Sequence, residues 1–276
     1  MKKLGATVFL LFGAWLAWAL WGAAPQGPAG GKLVLTGSST VAPLAAEIGK
    51  RFEALHPGVR VDVQSGGSSR GINDARAGLA DIGMVSRALK PEESDLSSFT
   101  IALDGIGIIV NRVNPVESLD ERQIIRIFTG RITNWREAGG RDAPITVVNK
   151  AEGRSTLELF LQYFGLQNSA VKPHVVIGDN QQGIKTVAGN PDAIGYVSIG
   201  AAEYAAEHGT PVKLLPLGGA AATVENVRNG SFPLFRPLNL VIRTDAAGMA
   251  SAFIDFARSE QVHDLVAAQY FVPASR

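Results

Sequence analysis

The sequence predicts an α/β protein of two lobes, each a mostly parallel sheet flanked by helices, and three observations carry that prediction. From Lys32 onward, short β-rich runs alternate with helical patterns. The first elements follow the order β-α-β-α-β, which implies a parallel sheet with functional turns at the carboxyl ends of its strands. The sequence of strand, polar turn and helix then returns in the second half, after an apolar run long enough to travel between two lobes.

In chain order, Leu33–Leu35 reads as a strand, and Leu44, Ile48, Phe52 and Leu55 recur at helical spacing until His56-Pro57-Gly58 stops the helix. Val59–Val63 alternates as a strand, Ser65–Gly71 is a glycine-rich turn, and Ile72–Ala77 begins a helix. Ala80–Val85 is the next strand, ending at Ser86-Arg87. Ile101–Val110 is the crossing run. Leu119–Phe128 is helical and Gly130–Gly140 is a loop with Trp135. Ile145–Val148 is a strand and Ala151–Thr156 a polar turn, followed by a helix over Leu157–Phe164 with Leu157, Phe160, Leu161 and Phe164 on one face. Further elements are Val175–Ile177, a helix around Gly183–Ala188, Ala193–Ser198, Val212–Leu217, a late strand at Leu238–Ile242, and closing helices at Met249–Arg258 and Gln261–Gln269. The implied division is 32–104 with 238–276 for one lobe and 105–237 for the other.

At 276 residues, 46% hydrophobic and 18% charged, the chain can bury a substantial core. A formal net charge of +1, with no Lys/Arg run longer than two, gives no footprint for a nucleic-acid partner. The absence of cysteine excludes disulfides, thiolate metal sites and a lipid-modified cysteine. Lys2 and Lys3 precede an apolar run from Leu4 to Ala24, and Pro25–Gly31 is a Pro/Gly-rich spacer. This is the pattern of an export signal. The run also has the length and the tryptophans (Trp15, Trp18, Trp21) of a retained membrane anchor. On either reading of 1–24 the globular part is extracytoplasmic.

Three turns stand out as a candidate site: Ser38–Thr40, Ser68–Gly71 and Ala151–Thr156. Each follows a strand and leads into a helix, so each offers helix-start amides and a positive dipole end to an anion. Ser38, Ser39, Thr40, Ser68, Ser155 and Thr156 add hydroxyls, and Arg87, Lys150 and Arg154 add charge. The competing reading of each turn is an ordinary helix cap or connector. Together they make a donor-rich pocket of the kind a tetrahedral oxyanion requires, because dehydrating such an anion is otherwise costly.

The sequence resembles the periplasmic phosphate-binding proteins of Pst-type ABC importers, which have the type II periplasmic-binding-protein fold. The resemblance runs from about Leu33 to Pro273. It is carried by Thr36-Gly37-Ser38-Ser39-Thr40-Val41-Ala42-Pro43, Ser65-Gly66-Gly67-Ser68-Ser69-Arg70-Gly71-Ile72, Ala80-Asp81-Ile82-Gly83-Met84-Val85-Ser86-Arg87 and Val147–Thr156, with support from Leu103–Ile106, Ile132–Trp135, Ala193–Val197 and Phe235–Leu238. It implies that Ser39, Thr40 and Ser68 bind anion oxygens from one lobe and Ser155 and Thr156 from the other. It implies inorganic phosphate as ligand, an ABC permease as partner, a monomer, no cofactor and no catalysis. Two departures mark this chain. Ser86 stands where the family usually has an acidic residue that accepts the proton of hydrogen phosphate, which opens the site to sulfate, molybdate or tungstate. The upstream cation is Lys150 where the family usually has arginine, so that Arg87 and Arg154 are expected to share the charge role. Asp81 is expected to cap its turn and Glu152 to pair with Lys150.

Two other function classes compete. Gly67-Ser68-Ser69-Arg70-Gly71 matches G-x-S-x-G, which would make Ser69 a hydrolase nucleophile with His208 or His263; it comes too early in the sheet, with no glycine-rich oxyanion loop before it. The histidines (His56, His174, His208, His263) are scattered and form no metal motif. An anchored sensor or scaffold that binds the anion without feeding an importer is the third reading.

Overall fold

The protein's computed structural model describes residues 30–274, so the signal or anchor expected over 1–24 lies outside the described residues, as does most of the spacer. β1 (Gly31–Gly37) is the centre of a parallel trio, paired along its whole length with β2 (Val59–Ser65) and at its end with β3 (Ile82–Val85). The crossovers are α1 (Ala42–Leu55) and α2 (Ser68–Arg76). A second parallel trio has β5 (Thr146–Lys150) between β6 (Val175–Ile177) and β7 (Ala193–Ser198). Its helices include α3 (Glu121–Phe128), α4 (Ser155–Tyr163), α5 (Asn180–Gly189) and α6 (Ile199–Glu207).

Two antiparallel strands join the trios. β4 (Leu96–Asn111) pairs with β9 (Phe235–Arg243) through Leu96–Gly105 and with β7 through Ile106–Val110. β8 (Val212–Leu215) also pairs with the far half of β4. The crossing run read from Ile101–Val110 is therefore one long strand serving both halves. The sheet is mixed, not mostly parallel: each half has three parallel strands and is closed by strands that pass between the halves in the opposite sense. The rest of the chain is α7 (Val224–Arg228), α8 (Met249–Ala257), α9 (His263–Ala268) and β10 (Val272–Pro273), which pairs with β4.

Burial follows this division. One apolar core draws on Leu33–Ala102 and Leu238–Phe271, the other mainly on Ile106–Leu234. The cores meet where Leu103, Asp104 and Gly105 lie opposite Pro237, Arg236 and Phe235. In α1 the buried stripe is Leu44, Ile48 and Phe52, four residues apart; Leu55, expected to extend it, is exposed because the helix ends at His56. In the second half Phe160 stacks on Tyr196, ring centroids 3.9 Å apart, and Phe128 packs against both. Burying such rings stabilises by about 1.5–3 kcal/mol each, with roughly 0.5–1.5 kcal/mol more from ring–ring geometry. That cluster fixes the seat of α4 behind its first residues.

Two helix starts differ from expectation. α2 begins at Ser68, inside the stretch read as a glycine-rich turn, and α4 begins at Ser155. Gly67 makes the first possible: its φ of +99° disfavours a side chain, and the next residues turn straight into helix. The helix Ile199–Glu207 was not anticipated, since its Ala-rich stretch has little amphipathic contrast.

Candidate functional site

The ends of β1 and β3 and the start of α2 bring Ser38, Ser68 and Ser86 together. Ser38 Oγ accepts the amides of Thr40 (3.2 Å) and Val41 (3.4 Å) and donates to Ser86 Oγ at 3.0 Å. Its capacity is spent on the turn, so Ser38 is a structural cap at the rim of the site. Ser68 Oγ accepts the Ser86 amide at 3.1 Å. Asp81, expected to cap its turn, instead stands at the amino end of β3, where its carboxylate accepts the Val34 amide of the neighbouring β1 at 2.8 Å.

Across from them, β5 delivers Lys150 and α4 opens with Ser155 and Thr156. All of Thr40, Ser68, Ser86, Lys150, Ser155 and Thr156 are buried. The residue that ties them together belongs to the supporting stretch Phe235–Leu238 and is not among the expected site residues. Arg236, on β9, lies opposite Asp104 in the β4 ladder, so both side chains leave the same face of the sheet. Its Nε and Nη2 donate to Asp104 Oδ2 at 3.2 and 2.9 Å. Its remaining N–H groups reach Thr156 Oγ1 (2.8 Å), Thr40 Oγ1 (3.2 Å) and Ser86 Oγ (3.4 Å). Asp104 Oδ1 is held by Ser198 Oγ (2.9 Å) and the Gly200 amide (3.4 Å). Burial pushes the Asp104 carboxyl up, and Arg236 and Ser198 oppose it.

The bonding leaves a particular set of free valences. Thr40 Oγ1 accepts from both Arg236 and Asn180 Nδ2 (3.1 Å), so its lone pairs are filled and its own proton is free to donate. Ser86 Oγ is filled likewise by Ser38 and Arg236. Thr156 keeps its hydroxyl proton, and Ser155 Oγ is buried with no protein partner. The first amides of α4 have no acceptor within the helix. Lys150 Nζ donates to Asn180 Oδ1 at 3.0 Å and retains two further N–H groups. A region this rich in donors, with its one carboxylate already bound to Arg236, fits an anion.

The other expected residues sit differently. Ser39 is half-buried and lines an open cavity of about 510 Å³ together with Thr40, Asn180, Tyr204 and Phe271. Arg154 is half-buried and lies over Gly67, where a Cβ would come within 3.0 Å of its Cδ. Arg87 does not bring a free charge: Nη1 and Nη2 bind Glu93 at 2.7 and 2.8 Å, and Nε lies 3.1 Å from Glu158. Burial works to lower the Arg87 pKa, but the two carboxylates outweigh it and the value is raised. The expected Glu152–Lys150 pair does not form; Glu152 accepts from Asn168 instead. Among the described residues no hydrogen bond joins Ser69 to His208 or His263; His208 bonds the Tyr204 carbonyl and stacks on that ring.

The halves touch through the site. Asn180 meets Thr40, Arg236 meets Thr156, and the Ser69 amide donates to the Gly153 carbonyl at 3.3 Å. Glu158, on α4, is shared by Arg87 and Lys90 of the opposite lobe. With the inner hydroxyls 4% exposed or less, the cleft is closed in this structure.

Two lobes joined by crossing strands, shut around a cluster of buried donors, define a binding protein of the periplasmic type. The chain belongs to the PBP superfamily, whose domain model matches residues 22–261. Within that superfamily it is PstS-like. It is 28% identical over 252 residues to the phosphate-binding protein PstS of Bacillus subtilis (strain 168), covering 90% of this chain and 82% of that one. Among solved structures, a phosphate ABC transporter substrate-binding protein from Clostridium perfringens, determined with bound phosphate, superposes with a TM-score of 0.82 at 34% identity, over 89% of this chain and 100% of that one. An ABC-type phosphate transport receptor from Vibrio cholerae gives 0.73 at 32% identity, over 88% and 100%.

Proposed function

We propose that the protein captures inorganic phosphate outside the cytoplasm and presents it, by closure of its two lobes, to an ABC permease in the membrane. The observation that carries this reading is the set of free donors: Ser155 Oγ without a partner, the α4 amides, and hydroxyls whose lone pairs Arg236 and Asn180 already fill. Charge-assisted hydrogen bonds from Lys150, together with the hydroxyls that Arg236 orients, supply the binding energy. The groups are too buried for a ligand to enter the closed form, so capture requires the lobes to part about the Asp104/Arg236 crossing and shut again. The phosphate-binding relatives support this reading over hydrolysis.

A second ligand is favoured by one observation. Ser86 offers a hydroxyl at the family's acidic position, so a fully ionised anion is not rejected there by lone pairs facing lone pairs. Calorimetric titration of ligand-free protein with phosphate, sulfate, arsenate, molybdate and tungstate separates the two. Binding of phosphate with sulfate silent supports phosphate capture. Preferential binding of sulfate or tungstate reassigns the ligand, and no heat with any of them removes the oxyanion site.

A further inference from the structure

Among the described residues, Lys150 is the fully buried cation of the site to which no carboxylate is bonded. Arg236 has Asp104, and Arg87 has Glu93 and Glu158. Lys150 Nζ, with the residue 3% exposed, has a single acceptor, the neutral amide oxygen of Asn180. The groups facing it come from four elements. Arg236 stands on β9, paired with Asp104. Arg154 precedes α4, and Asp179 caps α5, where it accepts the Gln182 amide. From β7, Tyr196 Oη receives the Lys150 amide at 3.4 Å, and burial keeps that phenol protonated.

We propose that anion binding is coupled to protonation of Lys150: the ligand supplies the counter-charge the protein withholds, and the amine is charged as the anion enters. This rests on the oxyanion reading of the site given above. Burial, then Arg236, push the Lys150 pKa down to about 7, with Asp179 opposing and Arg154 adding to the fall. Tyr196, Asn180, Asp179 and Arg154 all belong to the lobe that carries Lys150 and stay with it when the cleft opens, while the burial of the amine belongs to the closed form. An arginine at this position would stay charged throughout; only lysine allows the charge to follow the ligand.

The coupling has a direction. Below pH 7 the amine is charged with or without ligand and no proton moves. Above pH 7 the closed site without ligand is mostly neutral and the filled one charged. Each binding event then takes up as much as one proton, and the Lys150 contribution to affinity falls by up to about tenfold per pH unit until the liganded pKa is passed. Dihydrogen phosphate carries the proton with it: a ligand O–H bond breaks, the lone pair of Nζ takes the proton, and hydrogen phosphate is left against an ammonium. Sulfate has no proton to give and must draw one from water. Lys150 thereby supplies an acceptor for the ligand proton at a site where Ser86 replaces a carboxylate.

The test is calorimetric titration of phosphate into ligand-free, full-length protein between pH 6 and 9.5, in buffers of different ionisation enthalpy, repeated with Lys150→Arg. The wild-type protein should take up protons at pH 8.5, and its affinity should fall more steeply than that of Lys150→Arg by up to about tenfold per pH unit. Parallel pH profiles for the two proteins would overturn the coupling while leaving phosphate capture intact, as would zero uptake by the wild-type protein at pH 8.5. The second readout needs no variant. Absence of phosphate binding at every pH would instead overturn the functional reading beneath it.

Discussion

Two guanidiniums are buried near the boundary between the lobes, and they meet opposite fates. Arg87 is enclosed by carboxylates, with both Nη atoms on Glu93 and its Nε against Glu158. Arg236 is given one carboxylate, Asp104, and spends its remaining donors on Thr40, Ser86 and Thr156. Both are arginines at the end of apolar stretches that the strands bury. The role of a buried cation is set by how many acceptors the fold supplies: Arg87 fastens one lobe to the other, and Arg236 orients a set of hydroxyls so that their protons face inward.

The largest expected effect tests that contrast directly. Arg236→Met removes the partner of a fully buried carboxylate, and breaking such a pair costs about 3–5 kcal/mol. Urea denaturation should register that loss, and phosphate titration should show binding abolished at concentrations that saturate the wild-type protein. A variant that unfolds normally and still binds would remove Arg236 from the centre of the site.

The next pair separates the two serines that cap the lobes. Ser155→Ala should weaken phosphate binding by about 1–3 kcal/mol, the cost of leaving a charged acceptor underpaired. Its stability should stay within about 0.5 kcal/mol, because Ser155 Oγ has no protein partner to lose. Ser38→Ala should do the reverse, costing about 1 kcal/mol of stability through two lost turn bonds. Parallel losses in denaturation and titration for both variants would erase the distinction.

A smaller effect is expected at the Arg87 cluster. Glu158→Gln removes two ion pairs between the lobes, and a partly exposed pair contributes about 0–1 kcal/mol. Calorimetry should show phosphate bound only a few-fold more weakly. A loss exceeding that of Ser155→Ala would place Arg87 in the site after all.

The smallest concerns acid stability. Burial works to raise the Glu93 pKa, but Arg87 and the Lys90 amide outweigh it and hold it below the ordinary 4.5. A depressed carboxylate contributes stability that is complete above its unfolded pKa and is lost as pH falls through the folded value. Glu93→Gln should therefore flatten the decline of thermal stability below about pH 4.5, the unfolded value; an unchanged acid limb would mean the pair carries no net stability.

What could be read in the sequence was local. The turns at Ser38–Thr40 and Ala151–Thr156 announce themselves because strand, hydroxyls and helix are contiguous, and α4 starts where those hydroxyls stand. Arg236 was invisible to that reasoning because it reaches the site only through register, opposite Asp104, 132 residues away. One signal existed: Asp104 and Arg236 each place a charge within a largely apolar run, and two opposite charges in buried strands must find each other. Arg87 was misjudged for the converse reason. Its position at the end of β3 looks like a site position, but Glu93 and Glu158 return to it from a following turn and from the other lobe.

On this reading the buried donors around Thr40, Ser155, Thr156 and Lys150 form a phosphate site. A crystal structure of the phosphate complex tests it most directly. Phosphate oxygens should lie within about 2.7–3.2 Å of Ser155 Oγ, the Thr156 amide, Thr40 Oγ1 and Lys150 Nζ. Phosphate resting instead in the open cavity lined by Ser39 and Tyr204, with those donors untouched, would contradict it.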